Sequence, residues 1–274
     1  RKTNFLCIAL IEASRKPKDP FLKIQVIVDF VWRILAWTAV RRLRNYYYKY
    51  LSELICKEKN VQCNICGWQG KKFHDADCGY GRIKNNSVCP SCFYDPRHRS
   101  LFLYLKKVIP KDKQLKVLHF APENCLTKLF KSYKFINYLS VDINPTKAMK
   151  KEDITKLSFN DSFFDIIFCY HVLEHVDDDK KAISELYRVL NKDGFAIIDV
   201  PIDYNREKTY EDPGIKSPEE RTKAFWQWDH IRLYGKDFAE KLKNIGFKVN
   251  ADSFISSLGE SKIKYFGLRE RPIY

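Results

Sequence analysis

The sequence lacks several features that would define whole classes of protein. Its most apolar stretch, residues 21–40, is interrupted by Lys23, Asp29 and Arg33, and the longest part without a charge is residues 34–40. A membrane-spanning helix needs about 20 apolar residues, so we expect no bilayer span. No Gly-x-x-x-x-Gly-Lys-Ser/Thr sequence is present, which argues against a phosphate-binding loop.

A disulfide framework and general disorder are excluded on composition. The nine cysteines are an odd number, and four of them form two Cys-x-x-Cys pairs, which fits a metal site in a reducing, cytoplasmic compartment. The 274 residues are 45% apolar and 15% aromatic, enough for one main domain and an appendage. The chain begins with Arg1 rather than Met, as a fragment of a longer protein would.

The formal charge of +15 is concentrated at the front of the chain. Residues 1–60 hold 13 basic and 5 acidic residues, including the basic run 41–44 before Tyr46, Tyr47 and Tyr48. We predict a helical segment over residues 1–60 that packs on the domain or on a partner subunit. Two alternatives stay open: peripheral contact of residues 21–50 with an anionic membrane, and binding to nucleic-acid phosphates.

The two cysteine pairs predict a zinc ribbon over residues 61–96. Cys63 and Cys66 form the first pair, and Cys89 and Cys92 form the second after 22 intervening residues. Each pair directs two sulfurs at one tetrahedral ion. Four thiolates leave no position for water, so we expect the zinc to be structural.

A strand, a helix and a second strand follow one another in residues 164–200. The apolar strand 164–170 leads to Asp177, Asp178 and Asp179, which supply a helix cap, and the helix is expected to end at residues 192–194 before a strand over 195–200. This βαβ unit predicts a parallel sheet with ligands beyond the carboxyl ends of its strands.

Two earlier strands fit the same sheet. Residues 116–120 form the first and residues 135–141 the second, which ends at Asp142, 19 residues after Glu123. A carboxylate at this place can accept hydrogen bonds from both hydroxyls of a ribose.

The segments Asp153-Ile154, 165–176 and 185–194 resemble a class I S-adenosylmethionine-dependent methyltransferase of the type 11 kind. The ribbon, the helix start at residues 97–99 and the run 118–123 are together similar to a subgroup with a zinc ribbon in front of that domain. The resemblance implies a Rossmann-like, mostly parallel α/β sheet of seven strands over residues 97–274. Its last two strands would be residues 247–251 and 264–268, antiparallel at the edge.

The resemblance also implies where S-adenosylmethionine binds. The family's acidic and glycine-rich turn is replaced here by a turn without glycine, so the turn either holds the cofactor at a different distance or has lost it, and the intact downstream elements favour binding. Glu123 either contacts the cofactor amine or complements the helix dipole. The predicted cofactor residues are His119, Phe120, Ala121, Pro122, Glu123, Asp142, Asp153, Ile154, Cys169 and Tyr170.

His230 is the first candidate for a catalytic base and His171 the second. Residues 202–229 are interpreted as an insertion that forms a lid or the acceptor pocket. The run from His171 to His175 also matches the His-x-x-Glu-His pattern of zinc peptidases, but it follows a strand directly, so we interpret it as a crossing turn.

The predicted function is methyl transfer to an acceptor, with a small-molecule or glycan hydroxyl as the first hypothesis. RNA or protein is the alternative acceptor, because the basic front of the chain would dock it. A third hypothesis is a binding module that keeps the methyltransferase fold without the activity, which the missing glycines keep open.

Overall fold

The structure is a computed structural model that describes Leu43, residues 58–77 and residues 83–274. The described residues fall into two compact units, with residues 58–95 and Tyr265–Gly267 in the first and Pro96–Lys264 and Leu268–Tyr274 in the second. Apart from Leu43 and residues 58–60, the predicted N-terminal helical segment lies outside the described residues, and so does the rest of residues 21–50. Within them, no helix is both long and apolar enough to cross a membrane.

The first unit consists of two short antiparallel strand pairs. Strands β1 (Val61–Gln62) and β2 (Gln69–Gly70) pair with each other, as do β3 (His74–Asp77) and β4 (Ile83–Val88). Its small core contains Trp68 and Phe73 beside two buried cysteines. So small a core needs a further stabilising element, such as a metal.

The second unit is built on a parallel sheet of five strands in the order β7-β6-β5-β8-β9. This is the 3-2-1-4-5 order of a doubly wound α/β fold. The strands are β5 (Leu115–Phe120), β6 (Ile136–Asp142), β7 (Lys150–Lys151), β8 (Phe164–Tyr170) and β9 (Leu190–Asp199).

Helices connect and extend this sheet. They are α1 (Pro96–Val108), α2 (Asn124–Ser132), α3 (Asp179–Val189), α4 (Pro218–Phe225), α5 (Phe238–Ile245), α6 (Phe254–Ser257) and α7 (Glu260–Phe266), with a short 3-10 helix at Leu173–His175. Within the insertion, β10 (Tyr210–Glu211) pairs antiparallel with β11 (Arg232–Leu233), which follows the insertion in the sequence.

Alternate residues of the central strands face opposite layers. Leu118 and Ile167 pack in the layer that contains α3 and α5. His119 and Phe168 face the other way, where their rings meet Phe130 of α2 at centroid distances of 5.7 and 6.2 Å. The sheet is therefore buried on both faces, as the nearly continuous apolar sequences of its strands require.

The predicted cap of α3 is confirmed, but its predicted end is wrong. Asp178 accepts a hydrogen bond from the backbone N–H of Lys181 at 2.9 Å. The helix ends at Val189, and β9 begins at once. Gly194 lies inside the strand, where a Cβ would come within 2.6 Å of the carbonyl oxygen of Asp165, so it serves close strand packing and not a helix end.

The Rossmann-like fold is confirmed, whereas the prediction of seven strands is wrong for the sheet in the described residues. Most of residues 264–268 lies in α7, where Lys264 pairs with Glu260 one helical turn away at 2.5 Å. Residues 247–251 form no strand. The backbone N–H of Ile198 in β9 instead donates to the carbonyl oxygen of Tyr274 at 3.0 Å. Tyr274 therefore occupies this part of the sheet edge beside β9.

Candidate active site

The turn after β5 has the backbone conformation that a glycine would normally supply. Ala121 has a φ of +44°, and its N–H donates to the carbonyl oxygen of Val141 in β6 at 2.9 Å. A left-handed residue with a Cβ costs roughly 1–2 kcal/mol. Ala121 therefore adopts a left-handed conformation without being glycine, and Phe120 and Pro122 flank it at the carboxyl edge.

His119 lies inside the domain, where both of its ring nitrogens have partners. Its Nδ1 is 3.0 Å from the hydroxyl of Tyr138, and its Nε2 is 3.0 Å from a carboxylate oxygen of Glu123. The side chain has no exposed surface. Its contribution to a cofactor site would therefore act through Glu123, which begins α2 without capping it by its side chain.

Asp142 and Asp153 reach the same edge of the sheet as Ala121. The Oδ1 of Asp142 accepts from the N–H of Asn144 at 2.7 Å, which fixes the carboxylate at the end of β6. The carboxylate of Asp153 accepts from the N–H and hydroxyl of Thr155, each at 2.8 Å, and these bonds lower its pKa. Ile154 beside it is buried.

Strand β8 ends in buried residues. Cys169 is fully buried, and this burial raises the pKa of its thiol well above the usual value. Tyr170 is also buried, with the guanidinium of Arg97 at 5.9 Å from the centre of its ring. The chain then turns at His171, whose φ is +55°.

The two predicted bases, His171 and His230, converge on Glu174. Nδ1 of His171 is 2.9 Å from Oε1 of Glu174, and Nε2 of His230 is 3.9 Å from the same oxygen. Burial raises the pKa of Glu174 to about 8 and, with His175 nearby, lowers that of His230 to about 4. Burial and the nearby cations Arg97, Arg271 and Arg269 lower the pKa of His171 well below its usual value. Both imidazoles are therefore neutral at pH 7.

Arg232 holds the segment that carries Glu174 in place through hydrogen bonds. This arginine was not among the site residues predicted from the sequence. Its guanidinium donates to the carbonyl oxygens of Leu173 at 2.8 Å and Asp177 at 2.9 Å, and also to that of Val176. Its Nε donates to Glu211 at 2.7 Å. The signal in the sequence was a single arginine between apolar neighbours in residues 231–233, which is a pattern of a buried arginine with polar partners.

The first unit holds a separate candidate metal centre. The Sγ atoms of Cys63 and Cys92 are 3.6 Å apart, as are those of Cys66 and Cys89. Sulfurs at about 2.3 Å from a tetrahedral zinc ion would lie about 3.8 Å from one another, so the four side chains fit the ion. The knuckle turns are alike, since Gly67 and Phe93 both have positive φ and donate to the carbonyl oxygens of Cys63 and Cys89.

Comparison with known proteins agrees with the fold. Residues 124–198 match the family model described as a methyltransferase domain. No curated protein sequence matches the chain. The match and the 3-2-1-4-5 parallel sheet identify the second unit as a class I methyltransferase domain. The chain thus carries a methyltransferase domain, and a four-cysteine unit precedes it in the sequence.

Solved methyltransferase structures are similar at low identity. A SAM-dependent methyltransferase from Thermotoga maritima is 17% identical over 56% of this chain and 72% of its own, with a TM-score of 0.39. The YcgJ protein of Bacillus subtilis is 19% identical over 65% and 93%, with a TM-score of 0.38. A SAM-dependent methyltransferase from Aquifex aeolicus is 17% identical over 54% and 80%, with a TM-score of 0.39.

Proposed function

We propose that the domain binds S-adenosylmethionine at the carboxyl edge of its sheet and transfers the methyl group to a hydroxyl of a small molecule or glycan. The observation that carries the donor site is the parallel pairing of β5 with β6, in which Phe120 is opposite Val141. This register brings the left-handed turn at Ala121 next to Asp142. A backbone turn beside a carboxylate is the arrangement that a nucleoside ligand requires.

The chain's own residues would bind and align the reactants. Asp142 would accept hydrogen bonds from the ribose hydroxyls, and Asp153 with Ile154 would border the adenine. The cofactor supplies an activated methyl group, so alignment of the acceptor oxygen behind that group provides most of the acceleration. His171 and His230 are neutral, and their low pKa values make them weak bases.

The acceptor proposal is supported by the insertion beside His230. Trp226 and Trp228 are 37% and 53% exposed there, next to α4. Indole rings stack on the apolar faces of sugars and aromatic small molecules. The alternative, RNA or protein docked on the basic front of the chain, rests on the charge of residues 1–60, which lie almost entirely outside the described residues.

Calorimetric titration with S-adenosylmethionine and S-adenosylhomocysteine tests the donor site. We expect micromolar binding to the wild type and at least tenfold weaker binding to Asp142→Ala. Asp142→Asn is the matched variant, because its amide oxygen still accepts from Asn144 while one acceptor for the diol is lost. Wild-type affinity in both variants would remove Asp142 from the site. Absence of binding to the wild type would leave the binding-module hypothesis.

Transfer of a labelled methyl group to panels of glycans, small hydroxyl compounds and RNA tests the acceptor. Incorporation into glycan or small-molecule hydroxyls that falls when Trp228 is changed to Ala supports the proposal. Incorporation into RNA alone favours the alternative acceptor.

For the first unit we propose a structural zinc ion held by Cys63, Cys66, Cys89 and Cys92. The support is the set of sulfur distances given above and the small core, which by itself buries few apolar side chains.

A further inference from the structure

Glu174, His175 and His230 form a second group of metal-ligating side chains, separate from the cysteines. Their ligand atoms all lie within 4.8 Å of one another. We infer that these three residues bind one divalent transition-metal ion. Two imidazoles and one carboxylate are the donor set of catalytic zinc sites and of mononuclear iron(II) sites, and three protein ligands leave coordination positions open for a substrate oxygen.

The orientation of His230 is that of a metal ligand. Its Nδ1 is 2.9 Å from the carbonyl oxygen of Phe225, so Nδ1 carries the proton and donates it. The lone pair of Nε2 therefore points elsewhere, and this atom lies 3.9 Å from Oε1 of Glu174. A hydrogen bond from the second ring nitrogen to a backbone carbonyl is the usual support of a ligating histidine, because it fixes both tautomer and orientation.

His175 has the same kind of support. Its Nδ1 is 3.1 Å from the carbonyl oxygen of Asp229, and its ring meets that of His230 edge to face at a centroid distance of 4.8 Å. Donation from Nδ1 leaves Nε2 as its ligand atom. The side chain is 32% exposed, whereas that of Glu174 is 1% exposed, so solvent and an ion have access from the His175 side.

Glu174 supplies the oxygen ligand of the group. One carboxylate oxygen is 2.9 Å from Nδ1 of His171, and the other is buried and has no hydrogen-bond partner among the described residues. A buried oxygen left in this way costs about 1–3 kcal/mol. A cation shared with two imidazoles would give that carboxylate a partner.

The backbone holds the two segments of the group in register. The N–H of Ile231 donates to the carbonyl oxygen of Glu174 at 3.0 Å, and Arg232 donates to Leu173, two residues before His175. The ligands thus come from the turn after β8 and from the residue that follows the insertion, and direct hydrogen bonds join these two segments. Preorganised ligands of this kind bind metals more tightly than ligands on independent loops.

The position of the group suggests that the ion activates the acceptor hydroxyl. This role rests on the proposed methyl transfer, whereas the metal site itself does not. Glu174 and His175 follow β8 at the edge where the donor would bind. An acceptor hydroxyl bound to the ion would lose its proton to solvent more readily, and its oxygen would then attack the methyl carbon as the bond from carbon to sulfur breaks.

Calorimetric titration of the zinc-loaded protein with Co²⁺, followed by metal analysis, tests the site. We expect one equivalent of Co²⁺ per chain in addition to the zinc of the cysteines, with an absorption spectrum free of thiolate charge-transfer bands. Glu174→Gln and His175→Ala should each weaken Co²⁺ binding at least tenfold. His175 is partly exposed, so its variant is expected to fold, and His98→Gln is the control for loss of a histidine outside the group.

Failure of the wild type to bind this second equivalent would overturn the inference, and so would equal Co²⁺ affinity in Glu174→Gln, His175→Ala and wild type. Titration of the same proteins with S-adenosylmethionine separates the two proposals. Co²⁺ binding without cofactor binding would retain the metal site and refute the donor site. Cofactor binding without Co²⁺ binding would retain the donor site and refute the metal site.

Discussion

Arg232 donates from its Nη1 atom to the carbonyl oxygen of Leu173 at 2.8 Å, across 59 residues of sequence. The same guanidinium reaches Asp177 and Glu211, so one side chain fixes the turn after β8 against the insertion. The turn carries Glu174 and His175. Its geometry therefore depends on an arginine that contacts no proposed ligand.

Replacing Arg232 by Lys should lower the free energy of unfolding by about 2–3 kcal/mol, because a single ammonium group cannot replace a fork that binds several carbonyl oxygens. Urea unfolding measures the change. Arg206→Lys is the matched control, since Arg206 is 46% exposed and pairs with Asp203 at the surface, where we expect less than 0.5 kcal/mol. Equal effects at the two positions would contradict the role of Arg232.

The effect of a substitution at Ala121 on stability should depend on how well the new residue tolerates a positive φ more than on the size of its side chain. Ala121→Gly relieves the left-handed strain at φ +44° and should leave stability unchanged or raise it by up to about 1 kcal/mol. Ala121→Val should destabilise the domain, because a β-branched side chain tolerates this region poorly. Thermal unfolding of the two variants checks the order, and a more stable Val variant would refute the assigned turn.

Removing only one partner of the ion pair between Arg271 and Asp199 should lower the free energy of unfolding strongly. The two groups are 2.5 Å apart, and their side chains are 11% and 4% exposed. Arg271→Leu leaves the carboxylate of Asp199 without its cation, and we expect a loss of about 3–5 kcal/mol. The double variant with Asp199→Asn should recover part of that loss. A chemical-denaturation double-mutant cycle measures the coupling, and strict additivity would show that the pair contributes nothing.

Changing Cys89 and Cys92 to Ser should release one zinc ion per chain, because the two remaining thiolates cannot complete a tetrahedral site. Metal analysis after dialysis measures the loss, and proteolysis around residues 61–95 reports on local unfolding. Cys125→Ser is the matched control, since that buried cysteine belongs to the methyltransferase domain. Unchanged zinc content in the double variant would contradict the four-cysteine centre.

The sequence by itself determined the central part of the fold. The short apolar runs and the helical spacing in residues 116–200 predicted strands β5, β6 and β8, the cap of α3 and a parallel sheet, because these depend on local burial and on right-handed crossover. The cysteine spacing likewise fixed the four-sulfur group, since each knuckle is a local turn.

Only the tertiary structure decided the edge of the sheet and the composition of the site. Residues 264–268 were predicted as an edge strand, but most of them lie in α7, and Ile198 of β9 donates to Tyr274 instead. The convergence of Glu174, His175 and His230 brings together residues up to 56 positions apart, so no local pattern contained it. Local sequence encodes backbone conformation, whereas the meeting of side chains from separate loops is set by how the elements pack.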